Sequence, residues 1–161
     1  MAATADHVAL VDDIVRLVTA RLLDPIAILM QSDDATDPLR TKLRGDAEMW
    51  AAQLLGPDDH TARAVAVRLV AALYPGDAPF DPRDDWWQTP LGRTVARRLG
   101  HPSRQHVPFS VAAAMLGISR QGVHDLITRQ KLHRHPDGGV TTESVQHRLS
   151  IRPAADPTHD S

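Results

Sequence analysis

The sequence predicts a mostly α chain in two parts, a helical N-terminal unit and a basic unit built around a helix-turn-helix and a short β-hairpin. Three observations predict it. Apolar residues recur at helical spacing through the first half. Aromatics are few and Ala, Val and Leu dominate, a composition suited to closely packed helices. Charge is also divided along the chain. Residues 1–92 hold 8 Lys/Arg against 15 Asp/Glu, net −7, whereas residues 93–152 hold 10 against 3, net +7. An acidic part joined to a basic part suggests a division of labour, with the basic part placed to meet a polyanion.

The elements follow in order. From Asp6 to Leu23, the apolar residues Val8, Val11, Val15, Val18 and Leu22 form one helical stripe, which Asp24-Pro25 is expected to interrupt. Asp37-Pro38 reads as N-cap and first helical residue of a helix carrying Leu39, Leu43, Ala47, Trp50 and Leu54, stopped by Gly56-Pro57. Asp58, Asp59 or Thr61 caps the next helix, with Val65, Leu69 and Leu73 on its buried face. Residues 1–75 are therefore expected to be an acidic helical unit, with enough apolar face to support a homodimer. Pro75, Gly76, Pro79 and Pro82 mark residues 76–87 as a linker that also carries Trp86-Trp87; packing is the commoner fate of such a pair. Residues 88–152 form the basic unit. It opens with Thr89-Pro90 as cap and first residue of a helix bearing Arg93, Arg97 and Arg98. The polar tail 153–161 is expected to be disordered.

The informative run lies between Pro108 and Ile127. Ser110 can cap a short helix whose Ala112 and Ala113 permit close helix approach, and Gly117 suits the left-handed position that ends it. Ile118 plugs the turn, and Ser119 caps a second helix with Val123, Leu126 and Ile127 on one face. Arg120, Gln121, His124 and Asp125 are left on the other. After it, Leu132 to Thr141 places Asp137-Gly138 between short β-compatible arms, a hairpin signal, and Thr141 or Thr142 can cap a last helix.

These residues resemble the winged helix-turn-helix of excisionase and MerR-like DNA-binding proteins, whose pattern is roughly Glu-Ala-Ala-x-x-Leu-Gly-Val-Ser. Ala112, Ala113, Leu116, Gly117, Ile118, Ser119, Val123 and Leu126 fit it, over a quarter to a third of the chain. Val111 stands where the pattern has Glu, and Gly122 lies inside the second helix. The resemblance implies double-stranded DNA as partner and the hairpin as a short β-hairpin wing. Ser119, Arg120, Gln121 and His124 would then face bases in the major groove, where Arg pairs with guanine and Gln with adenine. Arg93, Arg97, Arg98, Arg129, Lys131, His133, Arg134 and His135 would lie along the phosphate backbone.

The expected role is that of a small bacterial sequence-specific DNA-binding protein regulating transcription. Two alternatives stand beside it: an excisionase-like architectural factor of a mobile element, and a protein-interaction module whose basic face binds an acidic partner. Lys42 and Lys131 are the only lysines, an arginine bias expected of a high-GC bacterial genome. With no cysteine, thiolate metal sites are excluded. The histidines, including His101, His106, His124, His133 and His135, show no third ligand at diagnostic spacing, so neither a metal nor another cofactor is expected. The paired acids Asp12-Asp13, Asp33-Asp34, Asp58-Asp59 and Asp84-Asp85 read mostly as helix-start residues. No P-loop, Gly-x-Ser-x-Gly or dinucleotide glycine signature occurs, and an enzyme is not expected. Early acids argue against a signal peptide and no apolar stretch approaches a membrane span, so a cytoplasmic, nucleoid-associated location is expected.

Overall fold

The computed structural model describes residues 2–76 and 78–151. The tail 153–161 lies outside the described residues. The chain divides into two compact units, with the boundary between Pro79 and Phe80. Residues 80–87, expected within the linker, pack into the second unit. Among the described residues, no helix is long and apolar enough to cross a membrane.

The first unit begins with α1 (Ala2–Val18), continues through a π-helical turn (Thr19–Leu23) and runs into α2 (Asp24–Met30). Asp24-Pro25 thus does not end the helix. Proline has no N–H to donate, and its ring crowds the carbonyl four residues back. The π turn absorbs the misfit: the Asp24 N–H reaches back to the Thr19 carbonyl, one residue further than α-helical spacing. The helix ends at Gln31, in the left-handed region with φ 53°.

Helix α3 (Asp37–Leu55) packs against α1 and against α4 (Asp59–Leu73). Their core joins Leu10, Val11, Ile14, Leu17 and Val18 to Leu43, Ala47, Ala51 and Leu54, then to Ala62, Val65, Ala66, Leu69, Val70 and Leu73. Each buried Leu, Ile or Val contributes roughly 1.5–3 kcal/mol. The fully enclosed alanines bring the helix axes close. The stripe on α1 is rotated from the expected one: Val8 is exposed, and the bulkier Leu10, Ile14 and Leu17 are buried with Val11 and Val18. Two apolar stripes overlap on this helix, and α3 takes the one with larger side chains.

The caps are specific. Asp58 accepts from both the Thr61 N–H and its hydroxyl, at 3.2 and 2.7 Å, and these bonds hold its carboxyl below the usual carboxylate range. At α3 the N-cap is Thr36, which is fully buried, and Asp37 is the first helical residue. Asp12 and Asp13, expected near a helix start, lie inside α1 and pair with Arg44 and Arg16 at 3.3 and 2.6 Å. Arg21 closes the unit: its Nε donates to the Leu73 carbonyl at 2.6 Å, and its guanidinium lies 4.4 Å from the Tyr74 ring centre.

The second unit opens on a 3-10 turn (Asp84–Gln88) followed by α5 (Pro90–Leu99), β1 (His106–Val107), α6 (Phe109–Leu116), α7 (Arg120–Thr128), β2 (Val140–Thr141) and α8 (Thr142–Ile151). Thr89 caps α5 by accepting from the Gly92 N–H at 3.0 Å, with Pro90 at the first helical position. Trp87 is fully buried, whereas Trp86 is half-buried. The two rings meet edge to face at 5.0 Å, with Phe80 against both. Helix α5 packs on the 3-10 turn, α6 and α8. The core comprises Trp87, Leu91, Val95, Val107, Ala112, Met115, Val123, Leu132, Val140 and Val145.

The small sheet is antiparallel, pairing His106 with Thr141 and Val107 with Val140. The ladder partner of β2 is therefore β1, thirty-odd residues upstream, and not the arm across the Asp137-Gly138 turn. That arm makes a single bridge, Arg134 to Val140. The reversal closes through His135 N–H to the Gly139 carbonyl at 3.1 Å and Gly138 N–H to the His135 carbonyl at 3.0 Å. Gly139 has φ +71°, and a Cβ on it would lie 2.1 Å from the Val107 carbonyl oxygen. The reversal is thus pressed backbone-to-backbone against β1, a contact only glycine allows.

Candidate nucleic-acid interface

Helices α6 and α7 are joined by three residues, each with a defined role. Gly117 ends α6 in the left-handed region, φ 67°, and the Ile118 N–H returns to the Ala113 carbonyl at 3.0 Å. Ser119 caps α7, its Oγ accepting from the Gly122 N–H at 3.0 Å. The N-cap of α6 is Pro108, not Ser110, because the helix already begins at Phe109 and the Pro108 carbonyl takes the Ala112 N–H. Gly122 also has a local reason: a Cβ there would meet the Ile118 side chain at 3.3 to 3.5 Å. The glycine makes room for the plug of the turn.

This geometry leaves Ser119, Arg120, Gln121, His124 and Asp125 exposed along the start of α7, while Val123 is fully buried on its opposite face. Gln121 Nε2 donates to the Asp125 carboxylate at 3.1 Å, so one end of its amide is engaged within the helix. The His124 ring centre lies 4.8 Å from that of Phe109, and the Arg134 guanidinium lies 5.4 Å from the same ring. Phe109 therefore gathers a residue of α7 and a residue of the 134–140 reversal at one place. Sequence reasoning gave Phe109 no role, although an aromatic at the first position of a short helix, beside a polar face, was a usable signal.

The residues expected along the phosphate backbone are dispersed. Arg93 and Arg97 are exposed and Arg98 half-buried, all on α5. Arg129 and Lys131 are exposed in the turn after α7, where the Lys131 and Leu132 N–H groups both return to the Leu126 carbonyl. His133 has an exposed side chain, and its backbone N–H donates to Ser144 Oγ at 3.2 Å. Arg134 is exposed, but His135 is half-buried and stacks on His106, with ring centres 4.1 Å apart and planes 17° apart. Sequence alternation would place His133 and His135 on one face; with a single bridge in that arm, strand periodicity does not govern it.

His101 lies in the aromatic cluster, 5.3 Å from Trp87. Burial holds its pKa below the usual imidazole value, partly offset by the Asp81 carboxylate 3.8 Å away. Arg104 forms the closer pair with that carboxylate, at 2.6 Å. No family model, curated protein or solved structure matches the chain.

Proposed function

We propose that the second unit binds duplex DNA in a sequence-dependent manner and that the protein is a small transcriptional regulator, with α7 entering the major groove. One observation carries the reading: a glycine-ended, serine-capped turn presents Ser119, Arg120, Gln121 and His124 together and exposed, at the end of α7 that helix-turn-helix proteins direct at bases. Arg134, held near His124 by Phe109, supplies a cation beside that face for a phosphate. Arg93 and Arg97 on α5 and Arg129 and Lys131 after α7 are further exposed cations of this unit, available to the phosphate backbone. The same geometry serves an architectural factor of a mobile element, and the location of bound sites, at promoters or at recombination sites, separates the two roles.

The test is binding to a duplex selected from a random pool, followed by fluorescence anisotropy at several salt concentrations. Affinity is expected to fall steeply with salt. Arg120→Ala is expected to cost about 1–3 kcal/mol on the selected site and to relax preference at one base pair. Arg97→Ala weakens all duplexes alike and makes the salt slope shallower by about one. Absence of salt-sensitive duplex binding, or an Arg120→Ala variant with unchanged affinity and preference, overturns the reading in favour of a protein-interaction surface.

A recognition helix of nine residues spans few base pairs, and paired half-sites are the usual remedy. We accordingly propose a homodimer formed by the first unit. The stripes on α1 and α3 are largely consumed by the unit's own core. The most exposed large apolar side chains of the unit are on α2, where Ile28, Leu29 and Met30 are 75%, 80% and 62% exposed. Sedimentation is expected to give a dimer at tens of micromolar and a monomer for the Ile28→Asp, Leu29→Glu double variant. A wild-type monomer, unchanged on adding DNA, refutes it.

A further inference from the structure

We propose that His106, His135 and Asp137 form a site for a divalent first-row transition metal, with zinc the best match. The three residues come from opposite sides of one backbone contact. His106 is in β1, where it pairs with Thr141, and His135 and Asp137 are in the reversal that Gly139 presses onto β1. One potential donor atom from each lies within 4.8 Å of the others. Around a tetrahedral zinc with bonds of about 2.0–2.2 Å, donor atoms stand about 3.3 Å apart, so the three side chains must rotate toward one another to close the site.

One donor lone pair is already turned toward Asp137. His135 Nδ1 accepts from the Asp137 N–H at 3.0 Å, so in this arrangement that nitrogen presents its lone pair. Metal binding exchanges that one hydrogen bond for a coordinate bond at the same nitrogen, and the freed N–H is at an exposed residue within reach of water. The His106 ring must turn from its stacked position so that a nitrogen points at the metal. The Asp137 side chain, 80% exposed, can rotate inward and bring a negative oxygen. Two imidazoles and a carboxylate suit zinc, and three protein ligands leave a fourth position for water or an external donor. The bound ion would cross-link β1 to the reversal and stiffen the segment that carries Arg134. The site is read from its own residues and is tested in the absence of DNA.

The tag-free full chain is titrated with zinc chloride in competition with a chromogenic chelator, and with cobalt(II), whose visible absorption reports tetrahedral coordination. One equivalent is expected to bind in the micromolar range or tighter and, at a hundredfold excess over Kd, to raise the unfolding midpoint of the second unit by about 5 °C or more. Asp137→Asn, an exposed and nearly isosteric change, and His106→Gln should each weaken binding at least tenfold. His133→Gln and His124→Gln should leave it unchanged. Circular dichroism confirms that each variant is folded. No stoichiometric binding, or equal affinity in the wild type and Asp137→Asn, overturns the proposal, as does loss on His133→Gln equal to that on His106→Gln.

Discussion

Replacing Gly139 by alanine drives a methyl group into the backbone of β1. The new Cβ would lie 2.1 Å from the Val107 carbonyl oxygen, 2.8 Å from its carbon and 3.3 Å from Pro108 N. None of these atoms is the end of a flexible side chain, so strand or reversal must move by more than an ångström. Displacement weakens the two-residue ladder and the His135–Gly139 bond, each bond contributing about 1 kcal/mol net, and overpacking adds roughly 1–3 kcal/mol. Holding alanine at φ +71° costs roughly 1–2 kcal/mol more. With about 1 kcal/mol lost among those bonds, the sum is about 3–6 kcal/mol, a large share of the roughly 5–15 kcal/mol that stabilises a domain. Gly138→Ala is the control: its φ is +106°, but nothing lies within 4 Å of the added carbon, so only the backbone strain of about 1–3 kcal/mol applies. Urea denaturation followed by tryptophan fluorescence in a Trp50→Phe background reads the effect, since the remaining Trp86 and Trp87 both belong to the second unit. The midpoint should fall in both variants at unchanged slope, and much further for Gly139→Ala. A Gly139→Ala midpoint equal to that of Gly138→Ala would refute the backbone contact.

Because burial lowers the His101 pKa in the folded protein, the unfolded chain binds its proton at higher pH. The stability from the neutral imidazole is fully present above about pH 6.5 and is lost as pH falls below it toward the folded value. Urea midpoints between pH 8 and 5 should decline in the wild type and decline less in His101→Gln; parallel profiles would remove His101 as the cause. Ser119→Ala removes the acceptor for the Gly122 N–H and should cost about 1 kcal/mol by the same urea assay, while a loss below about 0.3 kcal/mol would show that the cap is not formed.

Much of the helical organisation was legible because its causes are local. Thr89-Pro90, Asp58 with Thr61, Gly56-Pro57 and Gly117 set helix ends through caps and backbone preferences acting over three or four residues. The turn from Gly117 to Ser119 was legible for the same reason, as was the polar side of α7, since Val123, Leu126 and Ile127 recur at helical spacing. What required the tertiary structure was pairing between distant segments. Which of two overlapping stripes on α1 is buried depends on α3, and the continuation through Pro25 depends on a π turn whose i→i+5 bonding leaves no composition signal. Residues 80–87 read as linker because of the prolines in and before them, with packing expected for the Trp86-Trp87 pair; the fold places them in the second unit, Trp87 fully buried in its core and Phe80 and Trp86 half-buried beside it. The strand pairing of Val140 with Val107, and with it the meeting of His106 with His135 and Asp137, joins segments about thirty residues apart. Period and spacing report only a residue's near neighbours, and loop closure over that distance leaves no mark on either stretch by itself.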